Sequence, residues 1–354
     1  MKDRVKAAVA GANGYAGITL VNLLARHPGV ELRQLSSRSF AGRPYASVFP
    51  LLDLEGEFVA EPDAHGIDVM FSCLPHNVGA ARAGAWVDAG VKVVDMSADF
   101  RLKDPAQYPR WYRQEHPAPS LLAKAVFGLP ELHERELRGA ALVAVPGCYS
   151  TAAILALAPA VASGLVGSDI IVDAKSGVSG AGRSPSIGVH FSEANESLGA
   201  YAIEGHRHLP EVTQELATLS RVSDSRHTAA ARRSFPHGGE LQVTFVPHLA
   251  PMTRGILATC YFDLKGSLAQ LQEAYREFYA GQPFTRVVAQ SPTTKLASHS
   301  NVCLVNVSAQ NKKAVVTAAL DNLVKGASGQ GVECFNIAFG FDRTTALEAP
   351  TQWP

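Results

Sequence analysis

Five short apolar runs punctuate the first 145 residues, at positions 5–10, 30–35, 67–73, 91–95 and 141–145. In four of them the hydrophobic positions are nearly continuous, the pattern of parallel strands buried on both faces, while residues 30–35 (VELRQL) intersperse polar ones. After the first run, Leu20, Leu23, Leu24 and His27 share one helical face, and the helix stops at Pro28. This texture predicts an open parallel sheet with crossover connections, a form in which ligands gather at the carboxyl ends of the strands. Residues 103–134 are rich in proline and aromatic side chains, too apolar for a free linker, and are expected to pack over the sheet edge.

Residues 139–168 carry no charge. Pro146, Gly147, Pro159 and Gly164 interrupt them, so they read as a buried strand, turn and helix rather than a membrane span. Beyond residue 167 the pattern changes. A strand is predicted over 169–174 and a helix over 212–219. Alternation follows, with Leu241, Val243 and Phe245 on one face. Strands at 255–264 and 301–308, a helix at 271–279, a segment at 315–325 that begins as strand and ends as helix, and a last helix at 330–339 complete the chain. Longer strands with interposed helices predict an α+β unit with a mixed or antiparallel sheet.

At 354 residues the chain has room for two ordinary domains. Lysine and arginine total 32 and so do aspartate and glutamate, which leaves no electrostatic footprint for nucleic acid. The densest basic pair, Arg232-Arg233, falls in an expected loop. Five widely spaced cysteines (73, 148, 260, 303 and 334) speak for a reducing compartment and against a disulfide framework or a metal site. Residues 1–6 are charged and run straight into a strand, without a secretory signal pattern, so a soluble protein is expected.

Several stretches carry chemistry, three of them at strand or loop to helix corners. Gly11-Ala12-Asn13-Gly14-Tyr15-Ala16-Gly17 joins the first strand to the first helix, and such glycines let backbone approach a pyrophosphate at a helix N-terminus. The second strand ends in Ser36-Ser37-Arg38-Ser39 where an NAD site usually has an acid, and hydroxyls with an arginine suit a 2′-phosphate. NADP(H) is the expected cofactor. In Val145-Pro146-Gly147-Cys148 a strand turns into a helix, and the helix start favours a thiolate at Cys148. A buried structural cysteine is the plain alternative. Third, Gly205-His206-Arg207-His208-Leu209-Pro210-Glu211 sets two imidazoles and a carboxylate beside a helix start, an acid/base constellation. A serine-glycine loop over 175–183, including Ser179 and Gly180, suits a phosphate or a cofactor edge. His76 reads as a loop hydrogen-bonder. Arg101 reads either as a clamp for an anionic group or as a surface ion pair with Asp99 or Asp104.

These pieces in this order resemble the N-acetyl-γ-glutamyl-phosphate reductases, a family within the aspartate-semialdehyde dehydrogenase superfamily. The matching blocks are GANGYAG (11–17), DMSADFRL (95–102), FGLPEL (127–132), VPGCYST (145–151), GHRHLPE (205–211), VPHLAPMTRG (246–255) and DNLVKGASGQ (321–330). The resemblance implies a cytoplasmic, NADPH-using enzyme of arginine biosynthesis acting on a small acyl phosphate, a homo-oligomer without nucleic-acid or membrane partners. It implies a Rossmann-type cofactor domain, residues 1–147 plus about 326–354, and a catalytic domain over 148–325. Cys148 is then the nucleophile that forms a thioester, and His208 oriented by Glu211 the acid/base, with His206 as the fallback. Asn322 and its neighbours return toward the nicotinamide, and Arg101 takes the phosphate. Arg183, Arg207 and Arg254 all remain open for the α-carboxylate. The competing readings are a lysine-pathway reductase acting on a carrier-linked analogue, aspartate-semialdehyde dehydrogenase itself, and a non-catalytic NADP sensor.

Overall fold

The computed structural model describes residues 4–226 and 241–348. The Arg232-Arg233 pair lies outside them. The chain divides into two compact units, changing over between Pro146 and Gly147 and again between Gly326 and Ala327. No helix among the described residues is long and apolar enough to cross a membrane.

The first unit contains β1 (Val5–Ala10), α1 (Tyr15–Leu24), β2 (Val30–Ser36), β3 (Val69–Ser72), α2 (Ala80–Asp88), β4 (Lys92–Asp95), α3 (Gln107–Tyr112), β5 (Val126–Phe127), α4 (Pro130–Leu137) and β6 (Leu142–Ala144). Its sheet is wholly parallel in the order β2-β1-β3-β4-β6-β5. The near-continuous apolar runs have a direct cause. The in-register row Ala8, Met70, Val93 and Leu142 is buried with Trp86 of α2 and Tyr108 of α3. The neighbouring row Val9, Phe71, Val94 and Val143 is buried as well. There Phe71 packs 5.5 Å from Phe335 of a later helix that returns to this unit. Residues 103–134 do more than cover the sheet edge, because β5 within them is the edge strand.

The second unit holds α5 (Cys148–Ala162), β7 (Val166–Gly177), α6 (Phe191–Ala194), β8 (Gly199–Ala200), α7 (Leu209–Arg226), β9 (Gln242–Ala250), β10 (Ile256–Leu264), α8 (Leu268–Phe278), β11 (Thr285–Val287), α9 (Thr294–Ala297), β12 (Cys303–Gln310) and β13 (Lys313–Leu320). The final helix α10 (Gly329–Phe339) belongs to the first unit. The second sheet is mixed, in the order β11-β12-β13-β10-β7-β9-β8. Every residue of α5 from Tyr149 to Val161 is buried, which accounts for its lack of charge. Pro159 removes the amide that would serve the carbonyl of Leu155, and the hydroxyl of Tyr279 donates to that carbonyl instead.

Several boundaries depart from the sequence reading. Strand β7 runs on through Lys175, Ser176 and Gly177, so only residues beyond them form the expected loop, beginning with a 3₁₀ turn over Val178–Ala181. Pairing with Leu257 and Ile256 on β10 holds Lys175 and Ser176 in the sheet. Pro247 and His248 lie inside β9, in register with Ala174 and Lys175. Helix α7 starts at Leu209, which leaves His208 just before it. The segment expected to pass from strand into helix ends as a strand at Leu320, and a separate π turn follows at Val324–Ser328.

Candidate active site

The cysteine corner is built from both directions along the chain. Gly147 is the N-cap residue of α5 in an extended conformation with no side-chain cap, and Cys148 is the first helical residue. The Gly147 carbonyl accepts from Thr151 N at 2.8 Å, so the first turn is closed. The Gly147 N–H donates to Glu211 Oε2 at 3.0 Å, and Glu211 is fully buried in the first turn of α7. A Cβ on Gly147 would sit 2.3 Å from His208 Nε2, so the imidazole lies directly over the residue that precedes the cysteine. From the other side, a Cβ on Gly326 would come 2.7 Å from Cys148 Cβ. The corner is therefore confined between an imidazole and the π turn. Gly326 was not singled out in the sequence, although its place in Lys325-Gly326-Ala327-Ser328-Gly329 marks a backbone that approaches something closely.

The two histidines differ. His208 accepts from Val212 N through its carbonyl and gives its own N–H to His206 Nδ1 at 3.2 Å. The His206 ring is boxed by Tyr149, Tyr201 and Phe245, with centroids 5.6 to 5.8 Å away, and by His208 at 4.7 Å. Burial, helped by the nearby Arg207 charge, pushes its pKa down to about 4. Tyr149 donates to the His248 carbonyl at 2.9 Å, and burial holds its hydroxyl far above the usual tyrosine range. A cavity of about 560 Å3 opens here, lined by Cys148, Tyr201, His206, Arg207, His208 and Glu193 among others. Its volume suits a small metabolite.

The serine-glycine turn is stitched to residues 252–255. Gly177 N donates to Gly255 O, Val178 N to Met252 O and Ser179 N to Thr253 O. Asn322 clamps both pieces, accepting from Gly255 N at 2.8 Å and donating to Ser179 Oγ at 2.9 Å. Ser179 and Asn322 are buried in this clamp, while Gly180 is exposed and lines the cavity. Of the three arginines left open for a carboxylate, only Arg207 lines the cavity. Arg254 faces the buried Asp321 at 3.4 Å, and Arg183 is exposed outside the lining.

In the first unit the glycine turn is tightly built. Gly11 has φ +78°, and a Cβ on it would lie 2.6 Å from the Cys73 carbonyl. A Cβ on Gly17 would lie 2.3 Å from the Gly11 carbonyl. Helix α1 follows Gly14 with no side-chain cap and no acid in its first turn, so its N–H groups suit a pyrophosphate. Tyr15 and Ala16 open the helix, and Asn13 reaches Ser39 Oγ at 3.2 Å. Ser36 is buried, and its carbonyl receives the amides of Gly11 and Ala12. Ser37 and Ser39 share a hydroxyl contact of 3.3 Å. The Arg38 guanidinium is exposed and meets Glu61 at 3.0 Å, an acid the sequence reading overlooked because it lies on a separate loop.

Arg101 is not in a surface ion pair. It is buried, with Nε donating to Val145 O at 2.7 Å and Nη2 to Met96 O at 3.0 Å. Around it, burial and the neighbouring Asp99 push the Asp95 carboxyl up to about 6. Burial also opposes ionisation of Asp99. His76 and the amides of Asn77 and Ala80 outweigh it and hold that carboxyl below its usual range. His76, packed 4.4 Å from the Tyr112 ring, thus fastens its loop to a buried carboxylate.

Residues 6–140 match the family model of the semialdehyde dehydrogenase NAD binding domain, and residues 148–322 that of the semialdehyde dehydrogenase dimerisation domain. Among solved structures, aspartate semialdehyde dehydrogenase II from Vibrio cholerae complexed with ASA superposes with a TM-score of 0.70 at 16% identity, covering 95% of this chain and 98% of that one. Aspartate semialdehyde dehydrogenase with NADP from Candida albicans does so with 0.67 at 17%, covering 95% and 98%. The class is set: an oxidoreductase with the semialdehyde dehydrogenase fold and a nicotinamide-dinucleotide domain. N-acetyl-γ-glutamyl-phosphate reductases from Dehalococcoides mccartyi and Symbiobacterium thermophilum are 45% and 46% identical to it, over 99% and 97% of both chains. The enzyme of that name from Pseudomonas savastanoi is 44% identical over 99% of this chain and all of its own. The chain belongs to the N-acetyl-γ-glutamyl-phosphate reductase family.

Proposed function

We propose that this protein reduces N-acetyl-γ-glutamyl phosphate to N-acetylglutamate γ-semialdehyde and phosphate, with NADPH, in cytoplasmic arginine biosynthesis. The observation that carries the reading is the corner at which Cys148 opens α5 beneath the His208 imidazole. His208 takes the thiol proton, and the thiolate attacks the γ-carbonyl carbon. A C–S bond forms, the bond from that carbon to the phosphate oxygen breaks, and inorganic phosphate leaves. NADPH, when bound, supplies the hydride that reduces the thioester. His208 returns its proton to the oxygen of the thiohemiacetal and then removes it as the C–S bond breaks, releasing the aldehyde and the thiolate. Glu211 keeps the corner in shape through the Gly147 amide.

Gly11, Gly14 and the start of α1 hold the pyrophosphate in this reading, and Ser37, Arg38 and Ser39 favour the 2′-phosphate of NADP. In this reading Arg207 takes the substrate carboxylate, supported by its being the one of the three candidates that lines the cavity. Arg101 serves the phosphate group. In this reading the chain works as a homo-oligomer.

The test is the reverse reaction. N-acetylglutamate γ-semialdehyde, phosphate and NADP⁺ should give phosphate-dependent NADPH formation, abolished in Cys148→Ala. Turnover that persists in Cys148→Ala, or a folded, NADPH-binding protein that gives none, would sink the proposal.

A further inference from the structure

Both histidines of the His206-Arg207-His208 run line the cavity, and the reaction needs one base. We propose that His206 is a hydrogen-bond donor to the substrate, locked by the backbone of His208 as the neutral imidazole that carries its proton on Nε2. This deepens the acyl-phosphate reading above and rests on it.

The geometry sets the tautomer. The backbone N–H of His208 points at His206 Nδ1 from 3.2 Å. A peptide N–H can only donate, so Nδ1 must offer a lone pair and the proton of a neutral ring sits on Nε2. Turning the ring over would set a carbon-bound hydrogen against that N–H. Tyr149, Tyr201 and Phe245 pack around the ring and hold it in place. Adding a second proton would break the bond to His208, and burial opposes the charge as well. A ring so held is a poor base near neutral pH and a permanent donor.

The acceptor is the remaining question. None of the described residues accepts from His206 Nε2, while the residue lines the same cavity as Cys148, His208 and Arg207. Donors in such positions are paired in working proteins, so the acceptor arrives with the substrate. It must be an oxygen without a proton. The substrate has two such sources near a cysteine-bound carbon, the γ-acyl oxygen and the α-carboxylate. A neutral N–H suits either, because it adds a hydrogen bond without the desolvation of a second cation beside Arg207.

The test uses His206→Gln, whose amide can still donate but cannot act as a base, and His206→Phe, which keeps the packing and removes the donor. The reverse reaction and the pH profile of Cys148 alkylation by iodoacetamide are followed in both. The phenylalanine variant should lose on the order of 100-fold in kcat/KM. The glutamine variant should recover to within about tenfold of wild type. Both should keep the wild-type alkylation profile, since His208 remains the base. A loss confined to kcat points to the γ-acyl oxygen. A loss in KM that vanishes with a substrate lacking the α-carboxylate points to that group. Either supports the proposal. A glutamine variant as impaired as phenylalanine with a displaced alkylation profile would make His206 a proton-transfer group and overturn it. Unchanged kinetics in His206→Phe would do so too. ¹⁵N NMR of labelled histidine reads the tautomer without turnover: protonated Nδ1 at neutral pH overturns this inference alone, whereas a wild-type protein without activity overturns the reading beneath it. Thermal unfolding and NADPH binding at wild-type levels show that each variant is folded.

Discussion

Two glycine corners in this molecule look alike in sequence and are needed for different reasons. Gly11 and Gly147 each follow a parallel strand, and each leads into a helix with no side-chain cap. At Gly11 the backbone itself requires glycine, with φ +78° and the Cys73 carbonyl 2.6 Å from where a Cβ would be. Gly147 has an ordinary φ of −66°, and glycine is required because the His208 ring fills the space of the missing side chain. The first corner keeps helix N–H groups available to an anion. The second fills the same place with the protein's own thiol and sets an imidazole over it. What a remote part of the chain brings to the corner decides which chemistry it supports.

The largest effect that would sharpen this contrast is at Cys148. Cys148→Ala should lose at least about 10⁴-fold in the reverse reaction while binding NADPH as wild type does by fluorescence titration. Loss of both would mean that the corners are not separable.

Next come the glycines themselves, as a crossed pair. Gly147→Ala displaces His208 and should cost on the order of 100-fold in kcat/KM, with slower alkylation of Cys148 and unchanged NADPH affinity. Gly11→Ala should weaken NADPH binding and lower stability by about 1–2 kcal/mol, with the alkylation rate unchanged. Alkylation is a clean probe here, because Cys260, Cys303 and Cys334 are fully buried and burial pushes the Cys73 thiol up to about 12. Matching defects in the two variants would break the comparison.

Acid and base should separate the two regions further. His206 takes its proton at about 4 when folded and at 6.5 when unfolded. The unfolded chain therefore binds the proton first, and stability falls as the pH drops from 6.5 toward 4. Asp95 behaves oppositely, with about 6 folded against 3.8 unfolded. The folded chain holds that proton longer, so the Asp95 contribution weakens as pH rises from 3.8 to about 6 and is constant above. Denaturant unfolding across this range should lose the acid-side slope in His206→Phe and the opposing one in Asp95→Asn. Unaltered slopes in both would contradict these assignments.

The smallest effect is expected at the cofactor's rim. Arg38→Ala should reduce the preference for NADPH over NADH by about tenfold, read from the ratio of their kcat/KM values. A larger preference in the variant would show that Glu61, not the 2′-phosphate, is the partner that matters to Arg38.

The parts of this fold that could be read from the sequence are those with local causes. Runs such as Val5–Ala10 are continuous because both sheet faces are covered, and the uncharged α5 is buried all round. The cysteine corner was legible because Pro146 and Gly147 end a strand where a helix begins. Illegible were features decided by distant partners. Ser176 and Gly177 have little strand preference of their own, and pairing with β10 and β9 keeps them extended. The ion pair of Arg38 with Glu61, 23 residues away, was likewise hidden, because the acid lies on a separate loop. Arg101 reads either as a clamp for an anionic group or as a surface ion pair, and its bonds to the backbone carbonyls of Met96 and Val145 show in neither. The backbone hydrogen bond that sets His206 apart from His208 is one that spacing does not reveal.

The bond from Gly147 N–H to Glu211 spans 64 residues of chain. On a ribosome, the sulfur of Cys148 emerges long before the carboxylate that fixes its turn and the imidazole that lies over it. The geometry of this corner is therefore complete only in molecules whose α7 has docked, and a chain that stalls before then lacks both the carboxylate on the Gly147 amide and the imidazole over it.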